Sequence, residues 1–272
     1  MSISAESVKA LREKTGVGMM DCKKALEHAQ GNFEEAIKYL REKGMSAATK
    51  KSDRSTNEGR IFIALAADKT TGGILELNCE TDFVSSNDAF IGLGDTIVQH
   101  ILTQRGTSLE ALQNSTISGQ PFSTYLSEAV LKLGENITVK QFQLIESAAS
   151  LSSYVHMNGK IGVLVEFSAI LDQEIGRDIA MHVAATSPQY VKKEEVPEAE
   201  VEKEKDIIRN QSLNEGKPAA ILDKVVAGKI GKYFKDICLI EQEFIKNSDQ
   251  TVQQVLAGKA NVVRFVRYSL GG

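Results

Sequence analysis

Two hexapeptides constrain this chain more than any other feature. Ile97-Val98-Gln99-His100-Ile101-Leu102 and Ile179-Ala180-Met181-His182-Val183-Ala184 place isoleucine first and histidine fourth in matching apolar frames. A second pair, Gly73-Ile74-Leu75 and Gly162-Val163-Leu164, recurs at a different offset: 82 residues for the helical pair, 89 for the strand-like one. A chain that repeats a strand and then a helix reads as a duplicated α+β unit. One copy is longer by seven residues between strand and helix, and the extra length falls in Cys79–Asn87. An extension that a sister unit folds without is where function is first sought, because loops on a rigid scaffold are free to carry it.

The elements around the repeat follow from periodicity. Ile61, Ile63 and Leu65 alternate as on a strand, Gly72-Gly73 reads as the turn, and Ile74-Leu75-Glu76-Leu77 as the returning strand. Phe90, Leu93, Ile97 and Ile101 keep the spacing of a helix lying on a sheet. A short helix near Leu109 and Leu112, a helix after Pro121 that Gly134 ends, and a strand from Ile137 towards Leu144 complete the first unit. In the second, Asn158-Gly159 between Ser153–His156 and Ile161–Val165 is a hairpin signal. A helix with Ile175, Ile179 and Val183 follows, closed by Ser187-Pro188, and later a strand at Ile237-Cys238-Leu239-Ile240, a short helix capped by Ser248, and a last strand Val262–Leu270.

Residues 1–44 read as three short helices, with Asn32 and Glu35 as a reciprocal cap of the third and Gly44 as its C-terminal stop. Residues 45–59 read as a linker whose Lys50, Lys51 and Arg54 are solvated. Core unit 1 is placed at 60–140, unit 2 at 141–190 with 231–272, and an antiparallel helical hairpin at 191–230 is inserted in unit 2. The hairpin's apolar seam is thin (Val201, Ile208, Ile221, Leu222, Val225, Val226, Ile230), and Glu194, Glu195, Glu198, Glu200, Glu202 and Glu204 read as a solvated face.

Composition excludes whole classes of function. A net charge of −4 argues against broad nucleic-acid binding, which requires a basic face. No apolar run reaches the ~18 residues of a membrane span, and Met1-Ser2-Ile3-Ser4-Ala5-Glu6 does not read as a signal peptide, so a cytoplasmic location is expected. Cys22, Cys79 and Cys238 are isolated and read as free thiols. His28, His100, His156 and His182 fit no zinc spacing, and there is no phosphate loop, dinucleotide fingerprint or nucleophile elbow. No catalytic residue, metal or cofactor is expected, which leaves a binding protein.

Two segments are candidates for binding. Met19-Met20 follows a glycine-rich turn in a helical unit with little core, and the pair is either buried or turned to a partner. Thr81-Asp82-Phe83-Val84 sets a phenylalanine within the polar extension; it is either a lid on its own domain or a wedge offered to another. The adjacent carboxylate favours interest in the wedge, since a charge competes for groups around a bound metal.

Leu11-Arg12-Glu13-Lys14-Thr15-Gly16-Val17-Gly18-Met19-Met20-Asp21-Cys22-Lys23-Lys24-Ala25-Leu26 resembles the N-terminal signature of the elongation factor Ts family. Glu76-Leu77-Asn78-Cys79-Glu80-Thr81-Asp82-Phe83-Val84 resembles its second. Gly134-Glu135-Asn136-Ile137, Ile161–Val165 and Ile179–Ala184 follow in the family's order.

The resemblance implies a ubiquitin-associated-like helical domain, a core of two related α+β halves and a protruding helical hairpin. It implies binding to elongation factor Tu, both GDP-bound and nucleotide-free, with GDP released so that GTP can bind. Asp82 and Phe83 would disturb the magnesium site of the GTPase, with Thr81 and Val84 holding the turn. Met19, Met20, Leu133, Gly134 and His156 match other contacts with the partner. Some members continue into a further C-terminal helix; this sequence stops at Gly272, after the last expected strand. The competing readings are a ribosome- or polymerase-associated scaffold without exchange activity and a ubiquitin-associated-like adaptor that merely tethers proteins.

Overall fold

The computed structural model describes residues 3–271; Met1, Ser2 and Gly272, on which parts of the leader and chain-end readings fall, lie outside the described residues. Three helices open the chain: α1 (Ala5–Thr15), α2 (Met19–His28) and α3 (Phe33–Lys51). Strands β1 (Glu58–Leu65) and β2 (Thr71–Cys79) lead to a four-residue helical turn, α4 (Asp82–Ser85), and then to α5 (Asp88–Gln104) and α6 (Leu109–Gln113). A small ribbon, β3 (Thr116–Ile117) and β4 (Gln120–Pro121), precedes α7 (Phe122–Leu133) and β5 (Thr138–Glu146). Next come β6 (Ser150–His156), β7 (Ile161–Phe167), α8 (Gln173–Thr186), α9 (Glu198–Asn214) and α10 (Leu222–Ile237). Strands β8 (Glu243–Phe244) and β9 (Asn247–Thr251), helix α11 (Val252–Leu256) and β10 (Val262–Ser269) complete the order.

Two three-stranded antiparallel sheets form the centre, one ordered β1-β2-β5 and the other β10-β7-β6. The outer face of the first carries α5: Leu75, Leu77 and Cys79 pack with Phe90, Leu93, Ile97 and Ile101. The outer face of the second carries α8 through Val163, Val165, Phe167, Ile179 and Val183. Their inner faces meet at Ile61, Ile74, Ile145, Leu151 and Leu164, each contributing roughly 1.5–3 kcal/mol by leaving water. That layer explains Gly72, while Gly73, expected with it as a turn, faces Val98 and Ile101 of α5. Both lie within β2, and a Cβ on Gly72 would stand 2.9 Å from Leu65 Cδ2 and 3.0 Å from Leu151 Cδ1. The turn is made earlier, at Lys69 with φ 57°, where Asp68 Oδ1 accepts from Thr70 N at 3.0 Å.

Four further expectations are corrected. Helix α3 runs through Gly44 to Lys51, well into the expected linker. The glycine is there for proximity: its Cβ position lies 3.1 Å from Ser127 O of α7, so the two helices cross closely. Asn32 caps α3 by accepting from Glu34 N and Glu35 N, but its own N–H donates to Ala29 O at 2.9 Å, not to Glu35 as a reciprocal cap requires. The apolar run Ile237–Ile240 is the end of α10 followed by a 3₁₀ turn (Leu239–Glu241), with only a single bridge from Cys238 to Tyr190. Ser248 sits in β9, and Thr251 caps the helix that follows.

The expected helical hairpin is α9 and α10, zipped by Ile208, Val226 and Ile230. Glu200, expected on a solvated face, instead fixes its base by accepting from Tyr190 OH at 2.7 Å and Tyr233 OH at 2.6 Å. The three cysteines are free and buried. Among the described residues, no helix is long and apolar enough to cross a membrane.

Candidate protein-binding site

Between β2 and α5 the chain forms α4, a single helical turn of four residues, in a loop three residues longer than the one between β7 and α8. Thr81 is its N-cap in extended conformation, and its hydroxyl accepts from Val84 N at 3.4 Å. Val84 turns into the core beneath α5, and Ser85 is buried. This leaves Asp82 and Phe83 on the outer side, and Phe83 is 84% exposed. The lid alternative is therefore eliminated for this conformation: the ring touches no core of its own chain.

Both ends of the turn are held. At the C-terminal end Arg60 Nε donates to Ser85 O at 2.6 Å. At the N-terminal end Glu135 accepts three hydrogen bonds, from Glu80 N and Thr81 N at 3.0 Å each on Oε2, and from Thr81 Oγ1 at 2.6 Å on Oε1. Glu80 returns the contact, its Oε1 accepting from Asn136 N at 2.7 Å. Burial and the negative charge of Glu135 push the Cys79 thiol beneath this clasp up to about 12, so it is inert as a nucleophile at neutral pH.

Leu133, Gly134 and His156 lie at segments that meet the residues bracing this turn; Met19 and Met20 lie apart from it, on α2. Leu133 is half-buried at the end of α7, and Gly134, exposed at φ 80°, caps that helix one residue before Glu135. His156 is exposed at the end of β6, with its Nδ1 3.2 Å from Tyr154 OH. The hairpin turn beyond it packs on Arg60: a Cβ on Gly159 would stand 3.1 Å from Arg60 Cβ. Arg60 thus touches both α4 and the Met157–Gly159 turn, and it lines a pocket of ≈ 390 Å³ with Val155, Asn158 and Gly159. Met19 (40% exposed) and Met20 (64%) start α2, so neither is in the core. The turn before them reaches the same end of α7, where Lys132 lies over Gly16.

Pattern reasoning missed Glu80, Glu135, Asn136 and Lys51. Lys51, read as solvated, donates to Gly134 O at 2.5 Å; Arg54 reaches Glu80 at 3.4 Å, and Asn136 Nδ2 donates to Arg54 O at 3.0 Å. The segment after α3 is therefore stitched to the residues that brace the α4 turn. The only available signal was that Glu80 and Gly134-Glu135-Asn136 sit in segments already singled out. The histidines expected in structural roles have them: His100 bonds Ser115 Oγ at 2.8 Å, and His182 bonds Gln242 Oε1 at 2.9 Å while its Nδ1 accepts from Ile245 N at 3.2 Å.

The result is a braced turn that holds an aromatic ring in water beside a carboxylate. A family model described as elongation factor TS matches residues 80–272, and the chain belongs to that family. Membership makes it a factor of protein biosynthesis that acts in nucleotide exchange on elongation factor Tu. The matched span includes the wedge, Leu133, Gly134 and His156, and begins after Met19 and Met20.

Proposed function

We propose that this chain binds elongation factor Tu carrying GDP and drives GDP release by inserting Asp82 and Phe83 beside the magnesium and phosphate site. The observation that carries this reading is Phe83, 84% exposed on a turn held at both ends. An apolar ring kept in water by its own scaffold gains free energy only on meeting another surface. No covalent bond changes. The factor binds the nucleotide-free GTPase more tightly than the GDP complex, and linkage then weakens GDP binding by the same factor. Each ~1.4 kcal/mol of that difference is about tenfold in nucleotide affinity.

Thr81 and Val84 hold the wedge, while Met19, Met20, Leu133, Gly134 and His156 grip the GTPase around it. In this reading residues 1–44 are a ubiquitin-associated-like domain that extends along α3, and the two sheet-and-helix units are copies of one ancestral unit. The α9–α10 hairpin adds a further grip, and the factor works in the cytoplasm without a cofactor. The experiment is release of a fluorescent GDP analogue from elongation factor Tu on adding a catalytic amount of this protein. Strong acceleration is expected. No acceleration at any ratio refutes exchange and leaves a scaffold.

A further inference from the structure

We propose that Glu135 is the positioning residue of the wedge: its carboxylate sets where Phe83 points, without touching the partner. The inference rests on the wedge reading above.

A four-residue helical turn has no stability of its own, since helices much shorter than ~12–15 residues are marginal even in favourable sequences. The two outward residues add nothing, because Asp82 and Phe83 are exposed. The aim of the ring therefore depends on what grips the turn. At its C-terminal end the grip is Val84 in the core and Arg60 on Ser85 O. At its N-terminal end, where the chain leaves β2, the main side-chain grip is the Glu135 carboxylate, which takes two amides and a hydroxyl, beside a weaker thiol bond from Cys79 Sγ to Thr81 O at 3.2 Å. Hydrogen bonds to an ionised acceptor are short and strong, and two oxygens fix direction as well as distance. Thr81 Oγ1 is oriented by donating to Glu135 and so presents its lone pair to Val84 N. The carboxylate thus acts on the cap of the very turn that bears Phe83.

The matching junction of the second sheet shows what a merely structural joint looks like. Between β7 and α8 the chain is closed by Ser168 N donating to Asn261 O and Asn261 N donating to Ser168 Oγ, both at 2.9 Å. The carboxylate at that junction, Asp172, caps α8 from its own loop by accepting from Glu174 N and Ile175 N. At the β2–α5 junction the carboxylate comes from Glu135, 54 residues from Thr81.

The clasp is also reciprocal. Glu80 accepts from Asn136 N while Glu135 accepts from Glu80 N, so the wedge and the segment after α7 move as one body. Lys51 on Gly134 O ties the end of α3 to the same body.

The test compares Glu135→Ala, Glu135→Gln, Phe83→Ala and the Glu135→Ala/Phe83→Ala pair in the full chain. Three readouts are taken: the release rate of fluorescent GDP from elongation factor Tu at saturating factor, affinity for the nucleotide-free GTPase, and the melting temperature. A displacement of about 1 Å at a reacting centre costs on the order of 100-fold, so Glu135→Ala is expected to lower saturating release at least tenfold. Affinity should fall by less than the rate, because the surfaces around the wedge are unchanged. Glu135→Gln, which keeps an oxygen for the two amides, should restore most of the rate. In the Phe83→Ala background the loss of Glu135 should add little, which a general structural role would not produce.

Full release with Glu135→Ala, fully multiplicative losses in the pair, or a loss of affinity equal to the loss of rate would each overturn the proposal. Should Glu135→Ala melt early, Thr81→Val removes one donor from the clasp and carries the same expectations. Full release by Phe83→Ala would instead overturn the wedge reading, and this inference with it.

Discussion

Truncating Phe83 separates the wedge from the lid most cleanly, because the two readings predict opposite stabilities. The ring is 84% exposed, so Phe83→Ala removes almost no packing from the free protein. Exposed substitutions of this kind change stability by less than about 0.5 kcal/mol. For a chain of this size that is a melting shift of roughly 1–2 °C. The partner complex is different. An enclosed aromatic buries about 150–250 Å². At ~25 cal/mol per Å², the lower end of that range amounts to roughly 4 kcal/mol. Part of this remains with the alanine methyl or is absorbed by ordering, so a loss of about 2–3 kcal/mol is expected, the size of an interface hot spot. At ~1.4 kcal/mol per decade, GDP release should slow by about 30- to 100-fold. Stopped-flow release of a fluorescent GDP analogue measures the rate, and differential scanning calorimetry measures stability on the same preparation. A fall of many degrees in melting temperature would show that the ring packs at home. A stable variant with unchanged release would refute the wedge.

Other consequences are as direct. Gly44→Val places a branched side chain where even a Cβ is 3.1 Å from Ser127 O, and overpacking of this kind costs about 1–3 kcal/mol; α3 should lift from α7, seen as faster amide exchange in both helices. His182 is buried and held neutral by burial, its folded pKa below the ordinary value, and His100 is shifted the same way. Unfolding then takes up protons below about pH 6.5, so this contribution is full above that pH and is lost as pH falls through it towards the folded values. Urea midpoints should fall between about pH 6.5 and 5, and His182→Gln should flatten the slope by up to ~1.4 kcal/mol per pH unit. The thiols of Cys79 and Cys238, pushed up to about 12 and about 11 by burial, should resist Ellman's reagent at pH 8 until the chain is denatured, whereas prompt native reaction would show that the site opens.

How far the sequence revealed this depended on whether a signal was periodic or pairwise. The stripe of Phe90, Leu93, Ile97 and Ile101 and the Asn158-Gly159 hairpin rest on local spacing, and both are found where spacing put them. The seven-residue difference is instead spread, with three residues in the β2–α5 loop and the rest in β2 and the start of α5. Glycine was harder. Gly44 and Gly72 read as a stop and a turn, yet each is there because another backbone or sheet passes close, and that neighbour lies 83 or more residues away in one case and across the sheet layer in the other. Ile237–Ile240 is a short apolar run that suits a strand and a helix end equally, and the neighbouring α9 decides it through Glu200 and Tyr233. The grip of Glu135 on Thr81 spans 54 residues and has no period. A lone glutamate after a glycine carries no sign of the donors that will meet it.

The order of strands has a consequence during synthesis. Strand β7 is flanked by β6, its immediate neighbour in the chain, and by β10, which reaches it across 98 residues at Glu166 and Arg264. While the ribosome makes α8 to α11, β7 keeps one open edge, and the inner apolar layer lacks Val266 and Tyr268. The α4 turn and the side chains that clasp it all precede β6 in the chain. An open edge of this kind is what holdase chaperones and stray strands seek, and translation of β10 removes it.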